Sequence, residues 1–128
     1  MARPLLVVDA ANVIGSRPDG WWRDRPGAAR RFAEQVRESV RNGRLAPPVV
    51  LLFEGQARRG AEEGTIDGVE VVHATGEGDD AIVSMARDHS GVVVVTADRE
   101  LVARVRAVDA DVRRPAWLLD QLEVRGDG

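Results

Sequence analysis

The sequence predicts an α/β domain in which an open, parallel sheet has helices on both faces. Apolar runs rich in valine and leucine occupy residues 4–8, 49–53 and 92–95, and a shorter run occupies residues 69–72. Runs that are apolar at every position are typical of strands buried on both faces, as in a parallel sheet. Helical patterns separate most of these runs, and such alternation favours right-handed crossovers that place helices on both faces.

The helices are predicted from apolar residues three or four positions apart. A weak strand follows at residues 111–113, and Pro115 is typical of the start of a last helix. Residues 55–64 hold three glycines and balanced charge, which predicts a mobile surface loop. The apolar sets of the three helices are Phe32, Val36 and Val40; Ile82, Met85 and Ala86; and Leu101, Val105 and Val108.

Length and composition exclude several classes of protein. The 128 residues fit one domain, predicted to span residues 1–128. The net charge of -3 argues against a protein that coats nucleic acid through a global basic field. All 18 basic residues are arginine, and the chain has neither lysine nor cysteine. These absences exclude a P-loop, a lysine Schiff base, a thiol nucleophile and a cysteine-ligated zinc site.

The amino terminus predicts no targeting or membrane segment. Its one apolar run before Asp9 is residues 5–8. That run is too short for the core of a signal peptide, and far shorter than the roughly 20 residues of a membrane helix. The sequence therefore predicts a cytoplasmic protein with no membrane partner.

Carboxylates follow all four confident strands. Asp9 ends the first, Glu54 ends the second, Asp79 and Asp80 follow the third, and Asp98 comes after the fourth. Ligands of open α/β sheets bind beyond the carboxyl ends of the strands, so these side chains are predicted to share one rim. Grouped carboxylates repel one another unless a hard cation lies between them. The rim therefore predicts a Mg²⁺ or Mn²⁺ site that activates water for phosphodiester hydrolysis.

Each carboxylate also has a purely structural interpretation. Asp98 and Asp79 stand where helices are predicted to begin, so either could be an N-cap. Glu54 precedes Gly55 at a turn, which favours a surface position. Asp9 is the strongest functional candidate, because it closes a buried apolar run and no helical pattern follows that it could cap.

Three motifs occur in order along the chain. They are Leu-Val-Val-Asp-Ala-Ala-Asn-Val-Ile-Gly at residues 6–15, Glu-Gly-Asp-Asp-Ala-Ile at residues 77–82 and Val-Thr-Ala-Asp-Arg-Glu at residues 95–100. Together they resemble the NYN branch of the PIN-like nucleases, and within it the YacP-like ribonucleases. The resemblance covers nearly the whole chain. It implies a three-layer PIN-like domain with parallel strands in the order 3-2-1-4-5, which places Asp9 opposite Asp98.

The resemblance also implies a set of site residues. Asp9, Asp79 and Asp98 match acidic positions of the family, where they would hold Mg²⁺ or Mn²⁺. Asn12 and Thr96 match companion positions and would orient a carboxylate, water or phosphate by hydrogen bonding. With the neighbouring acid included, the predicted catalytic set is Asp9, Asn12, Asp79, Asp80, Thr96 and Asp98.

Two further acids of the chain match the family less securely. Asp80 adjoins Asp79 and could share or replace its role, while Glu54 stands where relatives often carry another acid. A further acid of some relatives falls at Val83 or Ser84 here. The resemblance therefore leaves open one metal ion or a weakly held second one.

The segment of residues 10–27 is longer than an ordinary turn between a strand and a helix, and long loops of this kind are commonly functional. Trp21 and Trp22 could stack bases while arginines contact phosphates, as in the binding of single-stranded nucleic acid. In the alternative, a tryptophan closes the edge of the core and the arginines pair with Asp19 and Asp24. The predicted substrate-binding residues are Arg17, Trp21, Trp22, Arg23, Arg25 and Arg99.

Together these expectations predict a metal-dependent ribonuclease, an endonuclease that acts on single-stranded or looped RNA. The alternative is a non-catalytic RNA-binding or interaction module on the same fold, which the complete set of three aspartates disfavours. A receiver domain would need a lysine, which the chain lacks. A haloacid-dehalogenase-type phosphatase would need an aspartate at position 11, which is alanine.

Overall fold

In the computed structural model, which describes residues 4–122, a six-stranded sheet lies between two layers of helices. Residues 1–3 and 123–128 of the predicted domain lie outside the described part. The strands are β1 (Leu6–Asp9), β2 (Val49–Phe53), β3 (Gly64–Ile66), β4 (Val69–His73), β5 (Val93–Val95) and β6 (Asp111–Arg113). The helices are α1 (Ala10–Gly15), α2 (Arg25–Arg41), α3 (Gly78–Asp88), α4 (Arg99–Arg106) and α5 (Pro115–Leu122).

The sheet confirms the predicted fold class and differs from it at one edge. Its order is β3-β4-β2-β1-β5-β6, and every pairing is parallel except that of β3 with β4. Numbered without β3, the five parallel strands lie in the predicted PIN-like order 3-2-1-4-5. The antiparallel edge strand β3 was not predicted.

The prediction of one mobile loop over residues 55–64 was wrong. Gly55–Gly60 form a 3₁₀-helix, and β3 begins at Gly64. Arg58 ties this segment to the sheet, because its side chain donates to the carbonyls of Gly55 at 3.0 Å and Ala74 at 3.3 Å. One local hydrogen bond, to Gly55, and one distant hydrogen bond, to Ala74 after β4, therefore order a segment whose composition is typical of a loop.

The expectation that no helix follows Asp9 was also wrong. α1 begins at the next residue, and Val13 and Ile14 of this helix are buried in the core. Six residues are too few for an apolar period to be recognised in the sequence. Asp24, considered as a partner for arginines, instead caps α2 by accepting from the Gly27 backbone N–H at 3.0 Å.

Two apolar layers flank the sheet, because successive strand residues face opposite sides. Val8 lies in the cluster that includes Phe32 of α2, together with residues of α1 and α5. Val7 lies in the opposite cluster, with Ile82 of α3 and Leu101 of α4. The predicted helices on both faces are thus confirmed. Between residues 4 and 122, no helix is both long and apolar enough to cross a lipid bilayer.

Candidate functional site

Asp9 and Thr96 lie side by side at the carboxyl ends of β1 and β5. Val8 of β1 pairs with Val95 of β5. Asp9 and Thr96, which follow these two residues, therefore lie at the same level at the carboxyl edge of the sheet. The Thr96 hydroxyl donates a hydrogen bond to Asp9 Oδ2 at 2.9 Å, and both residues are buried. The same hydroxyl oxygen accepts from the backbone N–H of Asp98 at 3.1 Å. Thr96 therefore links two of the predicted metal ligands.

Asn12 holds the segment that joins β5 to α4. Its Oδ1 accepts a hydrogen bond from the backbone N–H of Ala97 at 2.8 Å. Ala97 lies between Thr96 and Asp98, so this bond fixes both residues relative to α1. The contact places Asn12 at the predicted site, where its side chain holds the backbone of Ala97 in position.

Glu54 connects the end of β2 to the start of α3. Its Oε2 accepts from the backbone N–H of Gly78 at 2.7 Å. A Cβ on Gly78 would lie 2.6 Å from that oxygen, so only glycine leaves the carboxylate its present position. Glu54 is half-buried and hydrogen-bonded, so the surface position predicted from the turn at Gly55 was wrong. Gly78 was not among the predicted site residues, and its signal in the sequence is its position between two acids in the second motif.

Burial and like charge raise the pKa values of two carboxyl groups at this edge. Burial raises the pKa of Asp9 from its ordinary value of 3.8 to about 6, although the hydrogen bond from Thr96 opposes the change and the charges of Asp79 and Glu54 add to it. Burial also raises the pKa of Asp79, and the charges of Asp98 and Glu54 act in the same direction. A cation between these groups would lower both pKa values, because it favours the ionised forms.

Asp98 caps α4. Its Oδ1 accepts from the backbone N–H groups of Glu100 at 2.9 Å and Leu101 at 3.1 Å. The capping interpretation of Asp98 is therefore confirmed. It is compatible with a ligand role, because a carboxylate has two oxygens with about four acceptor positions and both bonds go to Oδ1.

Asp79 and its neighbour Asp80 have different surroundings. α3 begins at Gly78, so Asp79 lies in the first turn and the interpretation of Asp79 as an N-cap was wrong. Asp80 pairs with Arg104 of α4 at 2.8 Å, and its side chain is 79% exposed. Asp79 thus lies in the electrostatic field of Asp98 and Glu54, whereas Asp80 forms an exposed ion pair with Arg104, whose charge also acts on Asp79.

The donor set of this edge suits a hard divalent cation, because all the donors are oxygen atoms. In the part of the chain that the structure describes, no three His, Cys, Asp or Glu side chains converge closely enough to hold an ion directly. Mg²⁺ commonly keeps several waters and takes only one or two carboxylates directly. The residues therefore fit an ion that is held partly through water.

A pocket of about 300 Å³ adjoins the carboxylates, and we name it the Trp21 pocket. Its lining includes Ile14, Trp21, Arg25, Glu54 and Gly76. The Arg25 guanidinium lies 5.3 Å from the centre of the Trp21 ring. Glu54 belongs both to this pocket and to the carboxylate group, so the two predicted substrate-binding residues Trp21 and Arg25 lie next to the site.

The other predicted substrate residues lie outside this pocket. Trp22 is 53% exposed, and its ring stands at 89° to that of Trp21 with 5.9 Å between the ring centres. Arg23 lies over Trp22 at 5.8 Å. Arg17 turns towards α2 and donates to Gln35 at 3.0 Å. Of the predicted substrate-binding set, Trp21 and Arg25 therefore line this pocket together, and the other members lie elsewhere.

Arg99 is the first residue of α4 and directly follows Asp98. It is exposed, so its guanidinium can reach an anion at the carboxylate edge from solvent. Arginine binds phosphate through paired N–H donors. Among the predicted substrate residues, Arg99 is thus the one that directly follows a predicted metal ligand in the sequence.

Replacing Thr96 with valine is expected to lower the free energy of unfolding by about 1–3 kcal/mol, because buried groups lose their hydrogen-bond partner. Valine keeps the shape but removes the hydroxyl shared by Asp9 and Asp98. Chemical denaturation at pH 7 in EDTA measures the change. Thr96→Ser keeps the hydroxyl and should cost less, about 1 kcal/mol for the lost methyl group. A serine variant no more stable than the valine variant would contradict the proposed role of the hydroxyl.

Comparison with solved structures finds Rae1 (YacP) from Bacillus subtilis. A mutant of that protein, in which a tryptophan is replaced by leucine, aligns with a TM-score of 0.67 at 18% identity, over 94% of this chain and 75% of that chain. A second Rae1 (YacP) structure aligns with a TM-score of 0.65 at 18% identity, over 94% and 74%. No protein-family model and no curated protein sequence matches the chain. The resemblance found in the motifs is thereby confirmed at the level of structure, and this chain shares the fold of Rae1 (YacP).

Proposed function

We propose that the chain is a divalent-metal-dependent ribonuclease, an endonuclease that hydrolyses phosphodiester bonds in single-stranded or looped RNA. The proposal is carried by one observation, the electrostatically coupled group of Asp9, Glu54, Asp79 and Asp98 at one edge of the sheet. Such a group is unfavourable without a cation and is a suitable site for one. The motif resemblance to YacP-like ribonucleases and the fold shared with Rae1 (YacP) support RNA as the substrate.

Asp9, Asp79 and Asp98 would hold Mg²⁺ or Mn²⁺, with Glu54 beside them. Such an ion, when bound, lowers the pKa of water and stabilises charge on phosphoryl oxygens. Thr96 orients the Asp9 carboxylate through its hydrogen bond to Oδ2. Burial of Asp9 restricts water around that carboxylate, so its charge acts more strongly than it would at the surface.

The arginines of this edge bind the substrate backbone. Arg25 and Arg99 are exposed and can donate paired hydrogen bonds to phosphate oxygens. Asn12 keeps the backbone of Ala97 in place, and with it the segment that carries Asp98. These residues thus place a phosphodiester against the carboxylate group, and a bound cation would offset the repulsion between the carboxylates and the phosphate.

A circular single-stranded RNA tests this proposal directly. The purified chain is expected to open the circle in Mn²⁺ or Mg²⁺ and to be inactive in EDTA. Because a circle has no ends, its opening distinguishes an endonuclease from an exonuclease. Cleavage that persists in EDTA would overturn the metal dependence, and an intact circle in Mn²⁺ would overturn the nuclease assignment.

Mn²⁺ is expected to raise the melting temperature of the chain at pH 8 by several degrees at saturation. A ligand at about 100 times its Kd stabilises the folded state by about 2.7 kcal/mol. Thermal denaturation during a Mn²⁺ titration measures the shift. Asp9→Asn should lose it, and Asp120→Asn, an exposed change on α5, should keep it. Stabilisation that survives Asp9→Asn would place the ion elsewhere, and stabilisation without any cleavage of RNA would favour the non-catalytic module.

A further inference from the structure

The Trp21 pocket has a semi-rigid aromatic wall. Trp21 is partly buried and packs against the core cluster under α1 and α2. Its ring is close enough to α1 that a Cβ on Gly15 would lie 3.7 Å from Trp21 Cζ2. The perpendicular ring of Trp22 contacts it from solvent. A ring held in this way loses little conformational entropy when a flat ligand stacks on it.

The pocket and the carboxylate group share parts of the chain. Ala11, two residues after Asp9, lines the pocket, and so does Glu54. Glu54 also accepts a hydrogen bond from the backbone N–H of Gly78, which directly precedes Asp79, so the pocket wall adjoins the carboxylates. A chain molecule with one unit at the carboxylates can therefore place its neighbouring unit in the pocket.

The chemistry of the lining matches a nucleobase. Proteins hold single-stranded nucleic acid by stacking bases on aromatic rings and by placing arginine along the backbone, and Trp21 and Arg25 supply these two elements together. A volume of about 300 Å³ lies at the lower end of small-ligand sites and suits a single nucleotide unit. Arg25 also offsets the negative charge of Glu54 and Glu77 in the lining, which would otherwise repel a nucleotide.

We propose that the Trp21 pocket receives one unpaired nucleobase of the RNA strand whose phosphodiester lies at the carboxylate group. This inference rests on the proposed function. A base within a duplex is stacked and paired, so it would have to leave the helix before it could enter. The pocket therefore makes unpaired RNA the substrate and positions the cleaved bond relative to the bound base.

Binding is tested without catalysis. The variant Asp9→Asn with Trp22→Phe and Trp117→Phe keeps Trp21 as the one tryptophan of the chain. In EDTA, a single-stranded RNA dodecamer is expected to quench its fluorescence. A strand of abasic ribose phosphates of equal length and charge should quench at least tenfold less, and so should the dodecamer annealed to its complement. Equal quenching by the abasic strand would overturn the base pocket.

Cleavage tests the same idea on the active chain. A single abasic nucleotide is moved along an RNA that is cleaved at one bond. We expect kcat/KM to fall at least tenfold at one position next to that bond, and to change by less than about twofold at distant positions. Uniform tolerance of the abasic nucleotide would overturn the proposal.

Gly76→Leu closes the pocket from the protein side. A Cβ on Gly76 meets nothing within 4 Å, so leucine adds bulk to the lining without a clash at Cβ. KM for RNA is expected to rise at least tenfold, while Mn²⁺ still raises the melting temperature as in the parent chain. Trp21→Ala should act in the same direction. Trp117→Ala is the matched control, because Trp117 is exposed on α5 and lies outside the lining.

The results separate this proposal from the proposed function. Base-dependent quenching without any cleavage would support the pocket and overturn the ribonuclease. Metal-dependent cleavage that tolerates every abasic position and is unaffected by Gly76→Leu would support the ribonuclease and overturn the pocket.

Discussion

Replacing Asp9 with asparagine is expected to lower kcat/KM for RNA cleavage on the order of 10³-fold, with the fold retained. Asparagine has the same shape and can still accept the hydrogen bond from the Thr96 hydroxyl. It lacks the buried negative charge that would attract a divalent ion to this edge. Steady-state cleavage of single-stranded RNA in Mn²⁺ measures the loss, and circular dichroism checks the fold.

The adjacent pair on α3 provides a matched control. Asp79→Asn should lose activity, because Asp79 is coupled to Asp98 and Glu54. Asp80→Asn should keep most of it, because Asp80 pairs with Arg104 in solvent. An Asp9→Asn variant with more than about a tenth of the parent activity would contradict the assignment of the site. Equal losses in the two α3 variants would contradict the separation of Asp80 from the group.

The stability of the metal-free chain is expected to contain a contribution from Asp9 that is lost as pH rises through about 6. The pKa of Asp9 is about 6 in the folded chain and 3.8 ordinarily. The folded state binds this proton more tightly than the unfolded state, so the contribution is fully present below about pH 4 and disappears above the folded pKa. The difference in pKa corresponds to about 3 kcal/mol.

Asp9→Asn should remove this dependence, because asparagine does not titrate. In EDTA, chemical denaturation is expected to show the variant gaining stability over the parent as pH rises from 4 to 8, by up to about 3 kcal/mol. Asp120→Asn, which changes an exposed carboxylate on α5, should show no such trend. A difference between Asp9→Asn and the parent that is the same at pH 4 and pH 8 would show that burial of Asp9 does not perturb its titration.

The buried strands were predictable because each is apolar along nearly its whole length. β1 and β2 are buried at every position, and that pattern is visible in the residues alone. β3 carries no such signal, since its three residues are exposed. It exists because the backbone of β4 offers hydrogen bonds to an antiparallel neighbour. Pairing along a sheet edge is a relation between distant segments, and local composition does not encode it.

The acids of the site likewise divide into those that the sequence predicted and those whose positions depend on the fold. The motifs single out Asp9 and Asp98, and the parallel order of their strands brings them to one edge. The positions of the two acids that the motifs left uncertain, Glu54 and Asp80, are set by hydrogen-bond partners 24 residues away in the sequence. The backbone N–H of Gly78 binds Glu54, and the guanidinium of Arg104 binds Asp80. One acid thereby faces the carboxylate group and the other faces solvent.

The sequence alone determined the fold class and the aspartates at the strand ends, while the order of the parallel strands was implied by the resemblance of its motifs to the PIN-like nucleases. The fold class is predictable because strands that are buried on both faces are apolar at nearly every position. The residues at the strand ends then follow directly from the positions of the strands. The tertiary structure alone decided which neighbouring acids join the group, how strongly burial perturbs Asp9, and that Trp21 and Arg25 form a pocket beside it. These properties depend on distances between segments far apart in the chain, and such distances exist only after folding.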